Sequence, residues 1–131
     1  QAEAALGFFA GSNWAPDLDT PENAAFVAAY EAKYGHVPGV YAMQGYDAAR
    51  LIDGALREAG GTDRDALIAA LEGAPFTSVR GDFSFGPNHF PIQDFYLTTV
   101  VQREDGKFAT SVVEKIFDDY QDNYAANCQM N

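Results

Sequence analysis

Residues Lys33–Leu56 read KYGHVPGVYAMQGYDAARLIDGAL: a helix end, a turn at His36-Val37-Pro38-Gly39, and a second helix. The body of that second helix is ordinary. Ala48, Ala49, Leu51, Ile52, Ala55 and Leu56 recur at helical spacing and predict an apolar face, with Arg50, Asp53 and Arg57 outside it. Its front is different: Tyr41, Met43, Gln44, Gly45 and Tyr46 mix aromatic, apolar and amide groups. A helix N-terminus also carries unpaired backbone N–H groups and the positive end of the macrodipole, so this entrance is suited to meeting a ligand.

Outward from that stretch, helix signals continue on both sides. Thr20 is an N-cap with Pro21 at the first helical position, predicting a helix over Pro21–Tyr34 that buries Phe26, Val27 and Tyr30 and stops at Gly35. The second helix should end at Gly60-Gly61. Thr62 then caps a short third helix over Asp63–Glu72, with Leu67, Ile68 and Leu71 inward and Gly73 at its end. Three helices with short connections predict a helical layer laid against a sheet. Ala4–Ala10 reads as a buried strand followed by a Trp14–Asp19 loop, and the alternation of Phe76–Phe85 as another strand. Asp94–Arg103 and Lys107–Ile116 flank Glu104-Asp105-Gly106 and read as a β-hairpin. The remaining tail reads as a short helix or an extended end.

The bulk properties narrow the function. The chain has 131 residues, enough for one compact domain, and 47% are hydrophobic, a folding composition. A net charge of -11 argues against nucleic acid and against an anionic membrane surface. No apolar run reaches the ~18 residues of a membrane span. Cys128 is the one cysteine, which excludes an internal disulfide; a half-buried packing role is expected for it. His36 and His89 have no second His or Cys at ligand spacing, Asp17-Leu18-Asp19 and Asp118-Asp119 lack the pattern of a calcium loop, and no metal is expected. Neither a G-x-S-x-G elbow nor a nucleotide-binding glycine motif occurs, so no cofactor is implied. The opening QAEAALGFFAGSNW has no initiator Met and reads as a strand in progress, which predicts a piece of a longer polypeptide.

The segments W-A-P-D-L-D-x-P-x-N (14–23), F-V-x-x-Y-x-x-K-Y-G-x-x-P (26–38), Y-A-x-Q-G-Y-D-A-A-R-L-I-D (41–53) and R-G-x-F-x-F-G-P-N-H (80–89) occur in order, followed by I-Q-D-F-Y and the hairpin. Together they resemble the periplasmic solute-binding proteins of branched-chain amino acid-type ABC transporters, the Leu/Ile/Val-binding protein family, and especially its aromatic-compound-binding branch. The resemblance implies an α/β, type I periplasmic-binding-protein-like fold of which this chain is the C-terminal portion. Residues 1–19 would form a strand and crossover loop, 20–76 the helical part of lobe one, and 77–131 the strands and tail returning to lobe two. It implies binding rather than catalysis: a small organic solute, an amino acid or aromatic acid, captured between lobes in the periplasm and passed to an ABC permease. A portion lacking its neighbours leaves apolar faces and strand edges uncovered, and self-association is expected. A cytoplasmic ligand-sensing regulator of the same fold, or an enzyme using acidic residues, are the alternatives.

On this resemblance Tyr46 is the first ligand-binding candidate, because the family places a cleft tyrosine on this helix; a core tyrosine is the competing role. Gln44 and Tyr41 share the helix entrance, where an amide can hydrogen-bond a carboxylate or hydroxyl. Trp14 and Asn13 lie in the loop after the first strand, as a cleft wall and a polar contact; the bland role for Trp14 is a structural plug. Arg80 offers a bidentate carboxylate clamp, against a surface ion pair as its commoner use.

Overall fold

The computed structural model describes residues 3–128. Helix α1 spans Pro21–Tyr34, with Thr20 Oγ1 accepting from the Asn23 N–H at 3.2 Å and Gly35 closing it at φ +76°. Helix α2 runs Val40–Ala59 between Gly39 and Gly60. Helix α3 is Arg64–Glu72 and its cap is Asp63, not Thr62: the Asp63 carboxylate accepts from the Ala66 N–H at 3.0 Å. An aspartate both satisfies the orphan donor and complements the positive helix end, which a threonine one residue earlier cannot reach.

The apolar row of α2 differs from the expected one. Met43, Asp47 and Ala55 are buried, whereas Ile52 and Leu56 remain 52% and 37% exposed. The inward face is set by what packs on it: α1 and the loop through Val79 around Met43, and α3 alongside. Trp14, Phe26, Met43 and Val79 form the buried cluster, with Val27, Tyr30 and Tyr46 half-buried around it. Glycine is required once within α2: a Cβ on Gly54 would lie 2.1 Å from the Pro75 carbonyl oxygen, so only glycine admits the chain leaving α3.

The sheet has four antiparallel strands. Strand β3 (Pro91–Gln102) is central and pairs along one edge with β4 (Phe108–Tyr120), from Gln102↔Phe108 to Gln93↔Tyr120 with irregular register in between. Its other edge takes β1 (Phe9–Ser12) and β2 (Phe83–Phe85) one after the other. The hairpin turns where expected, with Gly106 at φ +80°.

Other expectations are corrected. The first strand is only Phe9–Ser12, with a 3₁₀ turn at Glu3–Ala5 before it, and it is exposed rather than buried. The Phe76–Phe85 strand shrinks to Phe83–Phe85, because Asp47 holds Ser78 and Val79 against α2 and away from the sheet. The tail's first residues, Phe117–Tyr120, extend β4, and a 3₁₀ turn follows at Ala125–Asn127. Cys128 is exposed. Nor do the helices and the sheet share a buried apolar cluster: Trp14, Phe26, Met43 and Val79, which form it, all lie outside the strands. They are joined by polar contacts instead. Glu31 near the end of α1 accepts from Arg103 and, at 3.2 Å, from Lys107 of the hairpin turn, while Asp17 accepts from Ser111 Oγ at 2.5 Å and the Val112 N–H at 3.1 Å.

Candidate ligand-binding site

At the end of β1, Ser12 Oγ donates to the Trp14 carbonyl at 2.7 Å, a local bond that turns the chain and drives the indole inward. The Trp14 indole Nε1–H then donates to Asn23 Oδ1 at 2.7 Å, and its ring meets Phe26 edge-on at 6.2 Å. Asn23 is fully enclosed, its amide donating to the carbonyls of Pro16 and Leu18, both at 3.0 Å. Trp14 therefore pins the 14–20 loop to α1. A groove of about 510 Å³ opens beside it, between the Val37–Val40 turn entering α2 and the sheet residues Thr98, Val100 and Phe108. Its walls are apolar apart from hydroxyls such as Thr98, whose Oγ1 donates to the Ala10 carbonyl at 3.1 Å. Such a cleft, apolar with a few fixed polar groups, suits a small organic molecule.

The five residues singled out from the sequence do not converge on one cavity. Trp14 lines the groove, and Asn13 stands next to it, donating to Gln93 Oε1 at 3.1 Å. Tyr41 (85% exposed) and Gln44 point to solvent from the first turn of α2. Tyr46 faces α1 on another side of the helix, its ring 4.6 Å from that of Phe26 and its hydroxyl accepting from Arg50 Nη1 at 3.3 Å.

A buried polar chain links the helices to the sheet, and the sequence reading missed most of it. Asp47, 1% exposed, accepts from Ser78 Oγ at 2.5 Å, the Val79 N–H at 3.2 Å and Arg80 Nε at 3.0 Å. Arg80 in turn donates from Nη1 to Gln93 Oε1 at 2.7 Å and lies 4.4 Å over the Phe83 ring. Arg80 is thus no surface ion pair; its side chain is 11% exposed. The available signal was Asp47 itself, one turn beyond Met43 and two before Ala55 in a buried row. A carboxylate there needs partners, because burying it alone is costly.

A second polar cluster sits on the hairpin. Asp94 accepts from Lys115 Nζ at 2.5 Å, the Asp119 N–H at 3.0 Å and the Tyr96 hydroxyl at 3.1 Å. Burial pushes the Asp94 carboxyl up, but these three donors together outweigh it and hold it below the usual carboxylate range. Burial, and then the bond to Asp94, push the Tyr96 hydroxyl up to about 12.

Residues 1–107 match the family model described as a periplasmic binding protein, and the chain belongs to that family. Among solved structures, a solute-binding protein of an ABC transporter from R. palustris in complex with benzoate is 35% identical. It aligns with a TM-score of 0.83 over 97% of this chain and 34% of its own. One from Rhodopseudomonas palustris BisB5 in complex with 3,4-dihydroxybenzoic acid is 34% identical, with a TM-score of 0.81 over 92% of this chain and 33% of its own. An ABC transporter substrate-binding protein from Sphaerobacter thermophilus is 37% identical, with a TM-score of 0.78 over 89% and 33%. The chain spans about a third of the length of these structures. No curated protein matches it.

Proposed function

We propose that this chain is the C-terminal portion of the substrate-binding component of an ABC transporter. That component captures a small organic acid between two lobes in the periplasm and presents it to a membrane permease. The activity is binding and release, without turnover. The observation that carries this reading is the apolar groove beside Trp14, in a chain whose similar solved structures are of solute-binding proteins holding a benzoate and a dihydroxybenzoate. Residues 20–76 belong to one lobe, where Ser78 and Val79 also pack on α2, and the strands from Phe83 onward to the other, with 1–19 crossing between them.

The mechanism is hinge closure, in which a solute touching both lobes favours the closed state by its differential contacts. Helices and sheet that meet through polar contacts, not a shared apolar core, are suited to that movement. In this scheme Trp14 and Asn13 lie nearest the solute, and Tyr41 and Gln44 stand at the mouth on α2. Tyr46 takes the competing core role there, packed on Phe26. The chain by itself holds one part of the cleft, so it binds solute at that groove weakly and associates with itself through its uncovered apolar surface. The test is thermal denaturation of the full-length protein with benzoate, hydroxybenzoates and aliphatic amino acids. Stabilisation by at least one is expected, and no stabilisation by any of them sinks the proposal.

A further inference from the structure

The groove beside Trp14 has two walls, and residues next to its lining join one wall to the other. One wall is built on α1, with Pro16 in the loop before that helix and Val37 and Pro38 in the turn after it. The other is the hairpin, through Thr98, Phe108 and Thr110. Glu31, near the end of α1, accepts from Arg103 and, at 3.2 Å, from Nζ of Lys107, the residue before Phe108. Asp17 follows Pro16, and it accepts from Ser111 Oγ at 2.5 Å and the Val112 N–H at 3.1 Å, just beyond Thr110.

Both carboxylates ride on the same helix. Glu31 is part of α1, and Asn23 of α1 donates to the Pro16 and Leu18 carbonyls on either side of Asp17. Their four partners all stand on the hairpin. The side chain of Glu31 is only 16% exposed, and its bond from Arg103 holds the carboxyl below the usual carboxylate range, so the pair is charged at neutral pH. The contact can also come apart without stranding a charge. Asp105 lies 3.2 Å from Arg103 and 3.5 Å from Lys107 on the same turn, so both cations keep a carboxylate when Glu31 withdraws.

We propose that Glu31 and Asp17 are positioning residues that strap the hairpin to α1 across the groove, and that they set how long a bound solute is retained. The proposal rests on the solute-binding reading above and adds to it the contacts that favour the closed groove. Neither residue lines the groove, so both act on its walls and not on the solute. Contacts made only when the walls are together oppose opening, and therefore release; entry of solute into an open groove does not involve them.

The test uses the full-length protein. Glu31→Ala, Asp17→Ala and the double variant are compared with the unaltered protein in two ways. One is the release of benzoate when displaced by excess 4-hydroxybenzoate; the other is small-angle X-ray scattering without solute. Glu31→Ala should release benzoate about five-fold faster, the scale of a carboxylate paired with two part-exposed cations, with its association rate nearly unchanged. The double variant should keep its circular dichroism and show a larger radius of gyration. In an R103Q/K107Q background the effect of Glu31→Ala should vanish, because its partners are gone. Unchanged release, a slowed association in place of faster release, or a full-sized Glu31→Ala effect in that background overturns the proposal. An unaltered protein that does not bind benzoate counts against the solute reading instead. Scattering then decides on the straps alone, a larger radius upholding them and an equal radius overturning them.

Discussion

Asp47 is the residue on which the join between helices and sheet depends. Its carboxylate is buried with three donors on it, one of them the guanidinium that also grips Gln93. Removing one member of such a pair leaves the other buried and uncompensated. Asp47→Ala should therefore cost about 3–5 kcal/mol, read from the urea midpoint; a loss under about 1 kcal/mol would mean that Arg80 finds water instead. Asn23 offers a sharper comparison, because Asn23→Asp keeps the shape and the acceptor for Trp14 while replacing the donating amide. A carboxylate facing the Pro16 and Leu18 carbonyls should destabilise by about 1–3 kcal/mol, and an unchanged urea midpoint would contradict that role. The spacing of Asp47 with Met43 and Ala55 was the one hint of such burial in the sequence. Otherwise a polar side chain announces burial only through its partners, and those lie 31 to 33 positions away for Asp47.

Among the elements, α2 carries a built-in control on its two interior glycines. Gly45 has nothing within 4 Å of where a Cβ would stand, whereas the same atom on Gly54 would collide with the Pro75 carbonyl. Gly45→Ala should stabilise by about 0.5–1 kcal/mol through helix propensity alone. Gly54→Ala should lower the thermal midpoint despite the same propensity gain, and equal behaviour of the two variants would refute the close approach. The β3–β4 hairpin has its own pH signature. Asp94 titrates below its ordinary value in the fold, so its contribution is present above the unfolded carboxylate pKa and is lost as pH falls through the lower folded one. Tyr96 is raised, so its contribution is complete below about pH 10 and is lost as pH rises toward about 12. Tyr96→Phe should flatten the alkaline arm of a stability profile measured by denaturant; an unchanged arm would detach that loss from Tyr96. Helix starts and stops were legible because caps and glycines act locally, as Thr20, Gly35, Gly60 and Gly73 show. The Phe76–Phe85 segment was not, since its alternation was overridden by bonds from Ser78 and Val79 to a distant helix.

The whole molecule exposes 8265 Å², against roughly 6,800 Å² for a compact monomer of this mass. Phe8, Phe9, Ile52, Val113 and Phe117 are all about half exposed or more, and β4 offers a long outer edge. Light scattering of the chain should accordingly give a mass that rises with concentration, and a constant monomer mass at high concentration would contradict it. This excess surface fits a chain spanning a third of its solved relatives. The sequence by itself determined three helices in order, the hairpin after them and, through the motifs spaced from Trp14 to His89, the family. Those depend on short-range backbone chemistry and on local pattern, which any window of the sequence contains. Only the tertiary structure decided that Arg80 is buried against Asp47, that Tyr46 turns to α1 while Tyr41 and Gln44 turn outward, and that helices and sheet meet by polar contacts. Each of those depends on which distant groups come within bonding range, and periodicity along the chain carries no record of that.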